Sequence, residues 1–265
     1  MMDLICKEKM TDDDNTILYE LDGAIARVTL NRPDKRNALN EALITGIRNA
    51  LLQASDNAAV RVVVISGAGR DFCSGADLQS LKTIAEGSIV ENSADARSLM
   101  ELFAQIRRVS VPVVAAVRGK ALAGGCGLAS ACDIVLAAAE AKFGYPEVKI
   151  GFVPAMVTAI LRRNVSEKRA FELLTRGAEI GAAEAKEFGL VNQIFSEENF
   201  EAEVTNYVRA FEQLSKSAVA LTKALLYQMD GMSFGDALET GVDVNVIARM
   251  TEDCRKGIAG FLKKA

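Results

Sequence analysis

The sequence predicts an α/β fold that ends in an all-α region. Short apolar runs typical of buried strands alternate with segments at helical spacing as far as about residue 195. After Ser196 only helical patterns remain, and their apolar faces have no core of their own. We therefore expect a core over residues 1–195 and a helical region over residues 196–265 that packs on the core or on another subunit.

The composition excludes several classes of function. The chain has 265 residues, a net charge of −4 and a pI near 5.2, which disfavours binding to nucleic acid or to an anionic membrane surface. No apolar run is long enough to span a bilayer, and the charged start lacks the apolar stretch of a signal peptide. The five cysteines form no paired motif, so we expect reduced thiols and a cytoplasmic protein.

The chain contains no histidine. This absence excludes Ser–His and Cys–His nucleophile pairs and histidine metal sites, and we predict no metal centre. Acid–base chemistry must then depend on Asp, Glu, Lys, Tyr or Cys side chains, or on backbone dipoles with bound water.

The first elements are predicted from turn residues and apolar spacing. Asp22-Gly23 marks a tight turn between two strands. The proline-containing loop at residues 31–37 carries Arg32, Lys35 and Arg36, so it is either a solvated turn or an anion-contacting loop. The regular elements predicted here are the strands Ile17–Leu21 and Ala24–Leu30 and the helix Leu39–Gln53.

Two glycine-rich turns each follow a buried strand. The run at Val60–Ser66 leads to the turn at residues 73–77, and the run at Val111–Val117 leads to residues 119–133. Phe72 stands where a dinucleotide-binding fingerprint needs its third glycine, so that motif is not met. A glycine-rich turn at the start of a helix has two interpretations. Its backbone amides can bind an anion or a developing oxyanion, or its small residues can allow the helix to pack closely on the sheet.

Glu147 is the carboxylate that stands out in the sequence. It follows Pro146 within an apolar segment, where burial would raise its pKa toward the range of a proton-transfer group. An ordinary surface glutamate is the alternative interpretation.

The remaining elements follow from the same patterns. Residues 82–97 hold several small polar residues and are predicted to be a mobile surface loop, suited to a lid or to shaping a substrate pocket. The other predicted elements are helices at Ser98–Val109, Gly125–Cys132, Met156–Arg163, Glu167–Thr175, Ala182–Phe188, Phe200–Leu214, Ala218–Met229, Phe234–Met250 and Glu252–Lys264, and strands at Asp133–Ala139 and Leu190–Ile194.

Several segments, taken together and in order, resemble the crotonase (enoyl-CoA hydratase/isomerase) superfamily. They are NRPDKRNALN (31–40), SGAGRDFCSGADL (66–78), VRGKALAGGCGLASACDIV (117–135) and FGYPEVKIGFVPA (143–155). Segments 180–195 and 257–265 match as well, so the resemblance runs nearly end to end. The FGYPEVKIGFVPA segment, with Val-Pro-Ala in place of a glycine-rich turn, is similar to the methylglutaconyl-CoA hydratase-like branch.

The resemblance implies a fold, an assembly and a substrate class. The fold is a spiral of ββα units followed by helices that build a homotrimer, often stacked as a dimer of trimers. The substrate is an acyl-CoA thioester, so coenzyme A belongs to the substrate and no prosthetic group is implied. The match makes the N–H groups of Ala76 and Gly124 an oxyanion hole for the thioester oxygen, and it makes Glu147 the acid and base. One such donor is worth on the order of 10²–10³ in rate.

The resemblance also implies which residues contact the substrate. Arg36 is the expected phosphate contact, with Lys35 behind it, and Phe261 and Lys264 match tail residues that reach a CoA, commonly that of a neighbouring subunit. The implied substrate-binding set is Lys35, Arg36, Ala38, Leu39, Ser74, Asp77, Leu78, Gly125, Gly127, Pro146, Phe261 and Lys264.

One position departs from the pattern of the two-carboxylate hydratases of this superfamily. Their second glutamate would fall at position 127, which is Gly127 here. Glu147 alone could shuttle a proton between C2 and C4, or it could hydrate and dehydrate more slowly or with help from a substrate group. Alternatively another side chain substitutes for the missing acid, the candidates being Asp77, Tyr145, Glu86 and Glu91. Asp77 equally fits a helix cap.

We therefore expect an enzyme that hydrates a 2-enoyl-CoA or dehydrates a 3-hydroxyacyl-CoA. Isomerisation of a 3-enoyl-CoA to a 2-enoyl-CoA is the first alternative, and thioester hydrolysis or decarboxylation would use the same oxyanion hole. A non-catalytic acyl-CoA-binding protein is the alternative from another class, suggested by Gly127. No nucleic-acid or membrane partner is expected.

Overall fold

A six-stranded sheet forms the centre of the fold. The structure is a computed structural model that describes residues 16–263, with only the backbone described at Leu78. The strands of the sheet are β1 (Ile17–Asp22), β2 (Ile25–Leu30), β3 (Val62–Gly67), β4 (Val113–Val117), β6 (Ile134–Ala138) and β9 (Gln193–Phe195). They lie in the order β1-β2-β3-β4-β6-β9. The predicted hairpin β1–β2 is antiparallel, and every later pair is parallel, which requires a crossover between its strands.

A second, smaller sheet lies where the connections after the main strands meet. It consists of β5 (Lys120–Leu122), β7 (Lys142–Gly144) and β8 (Glu179–Gly181), in that order. Single bridges extend it, because Cys73 pairs with Ala121 and Leu39 pairs with Ala76. The loop after β2, the turn after β3 and the strands after β4 and β6 therefore line up side by side, which is the spiral of ββα units that the resemblance implies.

Eleven α-helices connect and cover the strands within residues 16–263. They are α1 (Glu41–Asp56), α2 (Leu78–Glu86), α3 (Ile89–Arg108), α4 (Gly124–Ala131), α5 (Ala155–Asn164), α6 (Glu167–Arg176), α7 (Ala182–Glu187), α8 (Phe200–Arg209), α9 (Lys216–Gln228), α10 (Phe234–Met250) and α11 (Glu252–Leu262). Short 3₁₀ turns lie at Pro33–Lys35, Pro146–Ile150, Ala210–Gln213 and Met229–Gly231. Most of the predicted helices are confirmed to within a few residues at each end.

The two faces of the main sheet are covered by different helices, because successive strand residues point to opposite faces. One face packs against α1 and α3 through side chains such as Leu43 and Ile106. The other face, which includes Val62, packs against Phe200 and Val204 of α8. Helix α8 follows the predicted boundary near Ser196, so the first helix of the tail region completes the core of the sheet.

Helix α9 is fixed to the core by a buried ion pair. The ammonium of Lys223 donates to the Asp133 carboxylate at 2.7 Å and to the carbonyls of Ile106 and Val111 at 2.8 and 2.9 Å. The hydroxyl of Tyr227 donates to the same carboxylate at 2.6 Å. All three donors of the ammonium are therefore used, which offsets the desolvation of its charge.

Helices α10 and α11 leave a broad apolar surface uncovered. Their exposed apolar side chains are Phe234, Leu238, Val242, Val246, Ile247, Met250, Ile258, Phe261 and Leu262. Across residues 16–263, none of the helices has both the length and the apolar character needed to cross a bilayer.

The prediction of a mobile loop at residues 82–97 is wrong. Residues 82–86 belong to α2, and α3 begins at Ile89 after a short link. Ser88 and Glu91 form a capping box, in which each side chain bonds the backbone of the other residue. The Ser-x-x-Glu spacing was visible in the sequence, but Gly87, Ser88 and Asn92 suggested a loop.

Candidate active site

The turn at residues 73–77 is hydrogen-bonded on both edges to segments that are distant in sequence. On one edge lies the loop after β2, and on the other lies β5. The bonds are Ser74 N–H to Arg36 O (3.0 Å), Leu39 N–H to Gly75 O (2.7 Å), Cys73 N–H to Lys120 O (3.0 Å) and Leu122 N–H to Cys73 O (2.9 Å). The structure therefore brings the two glycine-rich turns and the 31–39 loop together.

The amide of Ala76 points away from the loop that precedes α1. The carbonyl of Gly75 accepts a bond from Leu39, and in a planar trans peptide the next N–H points in the opposite direction. The Ala76 N–H is thus directed toward the edge on which the segment preceding α4 lies. Ala76 is exposed, so a ligand can reach its amide.

The amide of Gly124 opens α4. The first bond of this helix runs from Gly127 N–H to the Ala123 carbonyl at 2.9 Å, so the amides of Gly124, Gly125 and Cys126 precede the helical ladder. Ala123 has φ 49° and ψ −127°, a backbone conformation that residues with a side chain rarely adopt. Such strain costs on the order of 1–3 kcal/mol and persists where the surroundings enforce it.

The two proposed donors lie close together. A methyl group built on Gly75 would lie 3.6 Å from the Gly124 nitrogen, and that methyl position is three bonds from the nitrogen of Ala76. Bond lengths then limit the separation of the two nitrogens to about 7 Å at most. Two nitrogens that donate to the same oxygen lie no more than about 6 Å apart, and this upper limit allows such an arrangement.

The close approach of these turns requires glycine at two positions. A methyl group on Gly75, whose φ is +95°, would lie 2.7 Å from the Ala123 methyl and 3.0 Å from the Leu122 carbonyl. A methyl on Gly125 would collide with the carbonyl and side chain of Cys73. The small residues therefore pack the turns closely together, which confirms the packing interpretation, and the oxyanion interpretation stays a prediction.

Glu147 lies in the 3₁₀ turn Pro146–Ile150 that follows β7. The carbonyl of Gly144, at the end of β7, accepts from Ala123 N–H at 2.8 Å, so the acid-bearing segment is tied to the start of α4. The side chain is half-buried, and its Oε2 is buried with no hydrogen-bond partner among the described residues. Burial is the main cause that raises the pKa of Glu147, as predicted from its apolar neighbours.

Gly127 lies on α4 with no room for a side chain. A methyl built there would collide with Val157 of α5 and would lie 3.1 Å from the ring of Phe103 on α3. Both neighbours are buried members of the core. Apolar side chains therefore occupy the space into which a second acid at this position would extend.

Asp77 is engaged in structural contacts. Its carboxylate accepts from Gln79 N–H at 2.8 Å, which caps α2, and from the Arg32 guanidinium at 2.6 Å. The bond from the Gln79 amide and the pairing with Arg32 lower the pKa of Asp77. The helix-cap interpretation is confirmed, and the carboxylate stays ionised and paired, which does not suit a substitute acid. Arg32 is likewise committed to this pair rather than to a ligand.

The other candidates for a second acid do not fit either. Glu86 is exposed near the end of α2, and Glu91 is exposed in the capping box at the start of α3. Tyr145 is buried, and burial raises its pKa well above the ordinary value. The two glutamates are exposed and Tyr145 stays protonated, so none of the three supplies a buried carboxylate in place of the one missing at Gly127.

The predicted substrate contacts at residues 35–39 divide into two groups, one exposed and one buried. Lys35 and Arg36 are exposed, and neither takes part in an ion pair with another described residue. Ala38 and Leu39 are buried, and a methyl on Gly124 would lie 3.1 Å from Leu39. The loop thus presents two exposed cations beside the amide-bearing turns, which fits an anion-contacting loop.

The tail residues of the predicted site are not brought to it within this chain. Phe261 is 74% exposed on α11, which packs on α9 and α10. Lys264 lies outside the described residues, and the side chain of Leu78 is not described. Of the remaining predicted contacts, Ser74 and Pro146 are half-buried beside the turns just described.

Two features of the site were not predicted. One is the filling of the Gly127 position by Val157 and Phe103, which no sequence pattern shows. The other is a bond between Tyr145 and Ser130, 2.9 Å long and buried, which joins α4 to the segment that carries Glu147. Within residues 16–263 no group of His, Cys, Asp or Glu side chains is arranged to hold a metal ion.

Two sheets wound into a spiral, in which two glycine-rich turns meet and the segment that carries Glu147 is bonded to the start of α4, define a crotonase-type α/β protein. Comparison with known proteins gives the same class. The chain matches the model of the enoyl-CoA hydratase/isomerase family over residues 20–265. It belongs to the enoyl-CoA hydratase/isomerase family.

Individual relatives agree with this assignment. A Thermus thermophilus protein, named provisionally as an enoyl-CoA hydratase, is 40% identical over 242 residues, covering 91% of this chain and 96% of the relative. The crystal structure of an enoyl-CoA hydratase from Mycobacterium smegmatis has a TM-score of 0.89 at 30% identity, covering 94% and 96% of the two chains. That of human enoyl coenzyme A hydratase domain-containing protein 3 has a TM-score of 0.88 at 30% identity, covering 94% and 98%.

Proposed function

We propose that this protein hydrates 2-enoyl-CoA thioesters or dehydrates 3-hydroxyacyl-CoA thioesters. Glu147 serves as the acid and base, and the amides of Ala76 and Gly124 stabilise the thioester enolate. The observation that carries the proposal is the buried Oε2 of Glu147, which has no hydrogen-bond partner within residues 16–263 and lies on a segment tied to the start of α4. A carboxyl group whose pKa is raised by desolvation is suited to proton transfer.

The chemistry follows from where charge develops. Adding water to the conjugated double bond, or removing a proton from C2, places negative charge on the thioester oxygen. Two fixed amides can stabilise that charge without changing their protonation state, so the chain needs no histidine. The exposed cations Lys35 and Arg36 supply contacts for the phosphates of coenzyme A, which enters as part of the substrate.

A second candidate reaction is isomerisation of a 3-enoyl-CoA to a 2-enoyl-CoA. It is favoured by the apolar wall that Val157 and Phe103 form at Gly127, because no second acid is available there to hold a water. A single carboxylate can remove a proton at one carbon and return it at the other. The wall does not exclude hydration, in which Glu147 would activate water alone or with a substrate group.

The assembly is proposed on similar grounds. The exposed apolar side chains of α10 and α11 support packing against another copy of the chain, as a homotrimer or a dimer of trimers. In such an assembly the exposed Phe261 of α11 would contact the CoA of a neighbouring subunit, as the family resemblance implies for Phe261 and Lys264.

The proposal is tested with Glu147→Gln and a panel of 2-enoyl, 3-enoyl and 3-hydroxyacyl thioesters analysed by mass spectrometry. We expect the substitution to lower proton transfer by about 10²–10⁴-fold while CoA binding stays nearly unchanged. Glu187→Gln, at an exposed position on α7, is the matched control. Full activity of Glu147→Gln would remove Glu147 from the mechanism.

The same panel separates the alternatives. Water added to a 2-enoyl thioester indicates hydration, and a shifted double bond without a change in mass indicates isomerisation. Free acid would indicate thioester hydrolysis. Tight binding without any turnover would indicate a non-catalytic acyl-CoA-binding protein.

A further inference from the structure

The hydroxyl of Tyr145 makes a buried bond that the proposed chemistry does not use. Tyr145 is 1% exposed, and its hydroxyl lies 2.9 Å from the hydroxyl of Ser130, which is buried on α4. Ser130 donates its own hydrogen to the Cys126 carbonyl at 2.7 Å. Tyr145 is therefore the donor in its bond to Ser130, because a serine hydroxyl has a single hydrogen to give.

This bond joins the two halves of the proposed site. Tyr145 immediately precedes the 3₁₀ turn that carries Glu147, and Ser130 lies on the helix whose first amide belongs to Gly124. A backbone bond from Ala123 N–H to the Gly144 carbonyl ties the same two segments one residue before Tyr145. The start of α4 and its C-terminal end, at Ser130, are thus each attached to the acid-bearing segment.

The helix end of this connection is itself held in place. The carbonyl of Ser130 accepts a bond from the Asn164 side chain at 2.8 Å, which fixes α4 against the end of α5. Phenylalanine would fill the same apolar space as Tyr145 without needing a partner, so packing alone does not account for the hydroxyl. Its removal would leave Ser130 still bonded to Cys126, with no donor unpaired.

We propose that Tyr145 is a positioning residue for Glu147. Its hydroxyl, anchored on Ser130, fixes the distance between the carboxyl group and the amide of Gly124, so that base and oxyanion donor act on one thioester. The inference rests on the proposed function, because it concerns the geometry of that same site. A misplacement of about 1 Å at a reacting group can cost on the order of 10²-fold in rate.

A double-substitution cycle tests the proposal on the full-length protein. The variants are Tyr145→Phe, Ser130→Ala and the combination of the two, and the readouts are kcat, KM and the exchange of the C2 protons of butyryl-CoA with solvent deuterium. Tyr227→Phe is the matched control, since it also removes a tyrosine hydroxyl from a part-buried hydrogen bond, but on α9. Circular dichroism and thermal melting establish that each variant is folded.

We expect each single substitution to lower kcat and the exchange rate by about tenfold with little change in KM, as for a modest misplacement of a reacting group. The double variant should lose no more than either single one, because both remove the same bond. Tyr227→Phe should leave kcat unchanged. If Tyr145→Phe fails to fold, Ser130→Ala carries the test alone, since it removes the acceptor of the same bond.

Three results would overturn the proposal. Unchanged kcat and exchange in Tyr145→Phe, alongside a Glu147→Gln variant that has lost both, would refute the positioning role and leave the proposed function intact. Failure of both Tyr145→Phe and Ser130→Ala to fold would show a purely structural bond. Absence of turnover by the unmodified protein on every thioester would refute the proposed function and this inference with it.

Discussion

At the scale of single residues, Glu147 has two destabilising features that a role in catalysis would explain. Its Oε2 is buried without a partner among the described residues, and its pKa is raised by desolvation. A buried polar atom without a partner costs about 1–3 kcal/mol, so its presence calls for a reason. Contact with a substrate proton supplies one.

The raised pKa of Glu147 predicts the pH dependence of activity. As a base the carboxyl group must be ionised, so kcat should fall on the acid side at a pH above the ordinary carboxyl value of 4.5. Its neighbours Tyr145 and Cys126 stay neutral there, because burial raises their pKa values, that of Cys126 to about 11. A profile of kcat against pH measures the midpoint of this fall in activity. A midpoint at or below pH 4.5 would contradict the assignment of Glu147 as the base.

The same shift predicts a pH-dependent change in stability. A carboxyl group whose folded pKa lies above its unfolded pKa binds protons more tightly in the folded state. Its protonation therefore stabilises the folded state fully at low pH, and this stabilisation is lost as pH rises through the folded pKa. Glu147→Gln should therefore raise the melting temperature at pH 7 and leave it nearly unchanged below pH 4. A variant less stable than the parent at pH 7 would show that ionised Glu147 is stabilised by the fold.

The residue scale also shows a limit of sequence reasoning. The sequence alone predicts the glycine-rich turns, Glu147 and the missing acid at Gly127. It does not predict which side chains fill the space at Gly127, because Phe103 and Val157 belong to two helices whose packing depends on the whole core. The partner of Tyr145 was missed for the same reason.

At the scale of elements, the site depends on how closely the 73–77 turn approaches the start of α4. Gly75→Ala tests this approach, because the new methyl would meet Ala123 at 2.7 Å and the residue has a φ of +95°. We expect a loss of about 1–3 kcal/mol in the free energy of unfolding and at least a tenfold loss of kcat.

The matched control for Gly75→Ala is Gly23→Ala in the β1–β2 hairpin. That glycine also has a positive φ of 61°, but the nearest atom to a new methyl lies 3.8 Å away, so only backbone strain is added. Gly75→Ala should lose more stability than Gly23→Ala in urea unfolding, because it adds close contacts to the backbone strain, and only Gly75→Ala should lose activity. Equal activity in both would show that the approach of the turns is not needed for catalysis.

The element scale explains which parts of the fold were predictable. Strands β3 and β4 were found because continuous apolar runs are typical of buried parallel strands. The three-residue strands β5, β7 and β8 were not, because so short a segment has no periodicity to read. They form only because the connections of successive units meet, which is a property of the tertiary fold.

At the scale of the whole molecule, the tail has two distinct surfaces. One is attached to the core through Lys223 and Asp133, and the other exposes a row of apolar side chains along α10. In that row Phe234, Leu238, Val242, Val246 and Met250 recur every four residues, which places them along one face. A face of this kind is typical of a subunit interface.

Replacing Val242 and Val246 with lysine should disrupt the proposed assembly. The substitutions place two charges in the apolar face, so we expect a shift from trimer or hexamer to monomer in sedimentation velocity experiments. Asn245→Lys, at an exposed polar position on α10, is the control and should keep the assembly. A monomer before substitution, or an unchanged assembly after it, would contradict the oligomer proposal.

The central claim is that two amides from distant turns and one carboxyl group act on the same thioester. A crystal structure of the protein with bound butyryl-CoA tests this most directly. We predict the thioester oxygen at about 2.7–3.1 Å from the nitrogens of both Ala76 and Gly124, with the carboxyl group of Glu147 beside C2. A thioester bound with its oxygen away from either nitrogen, or with Glu147 directed away from C2, would contradict the account.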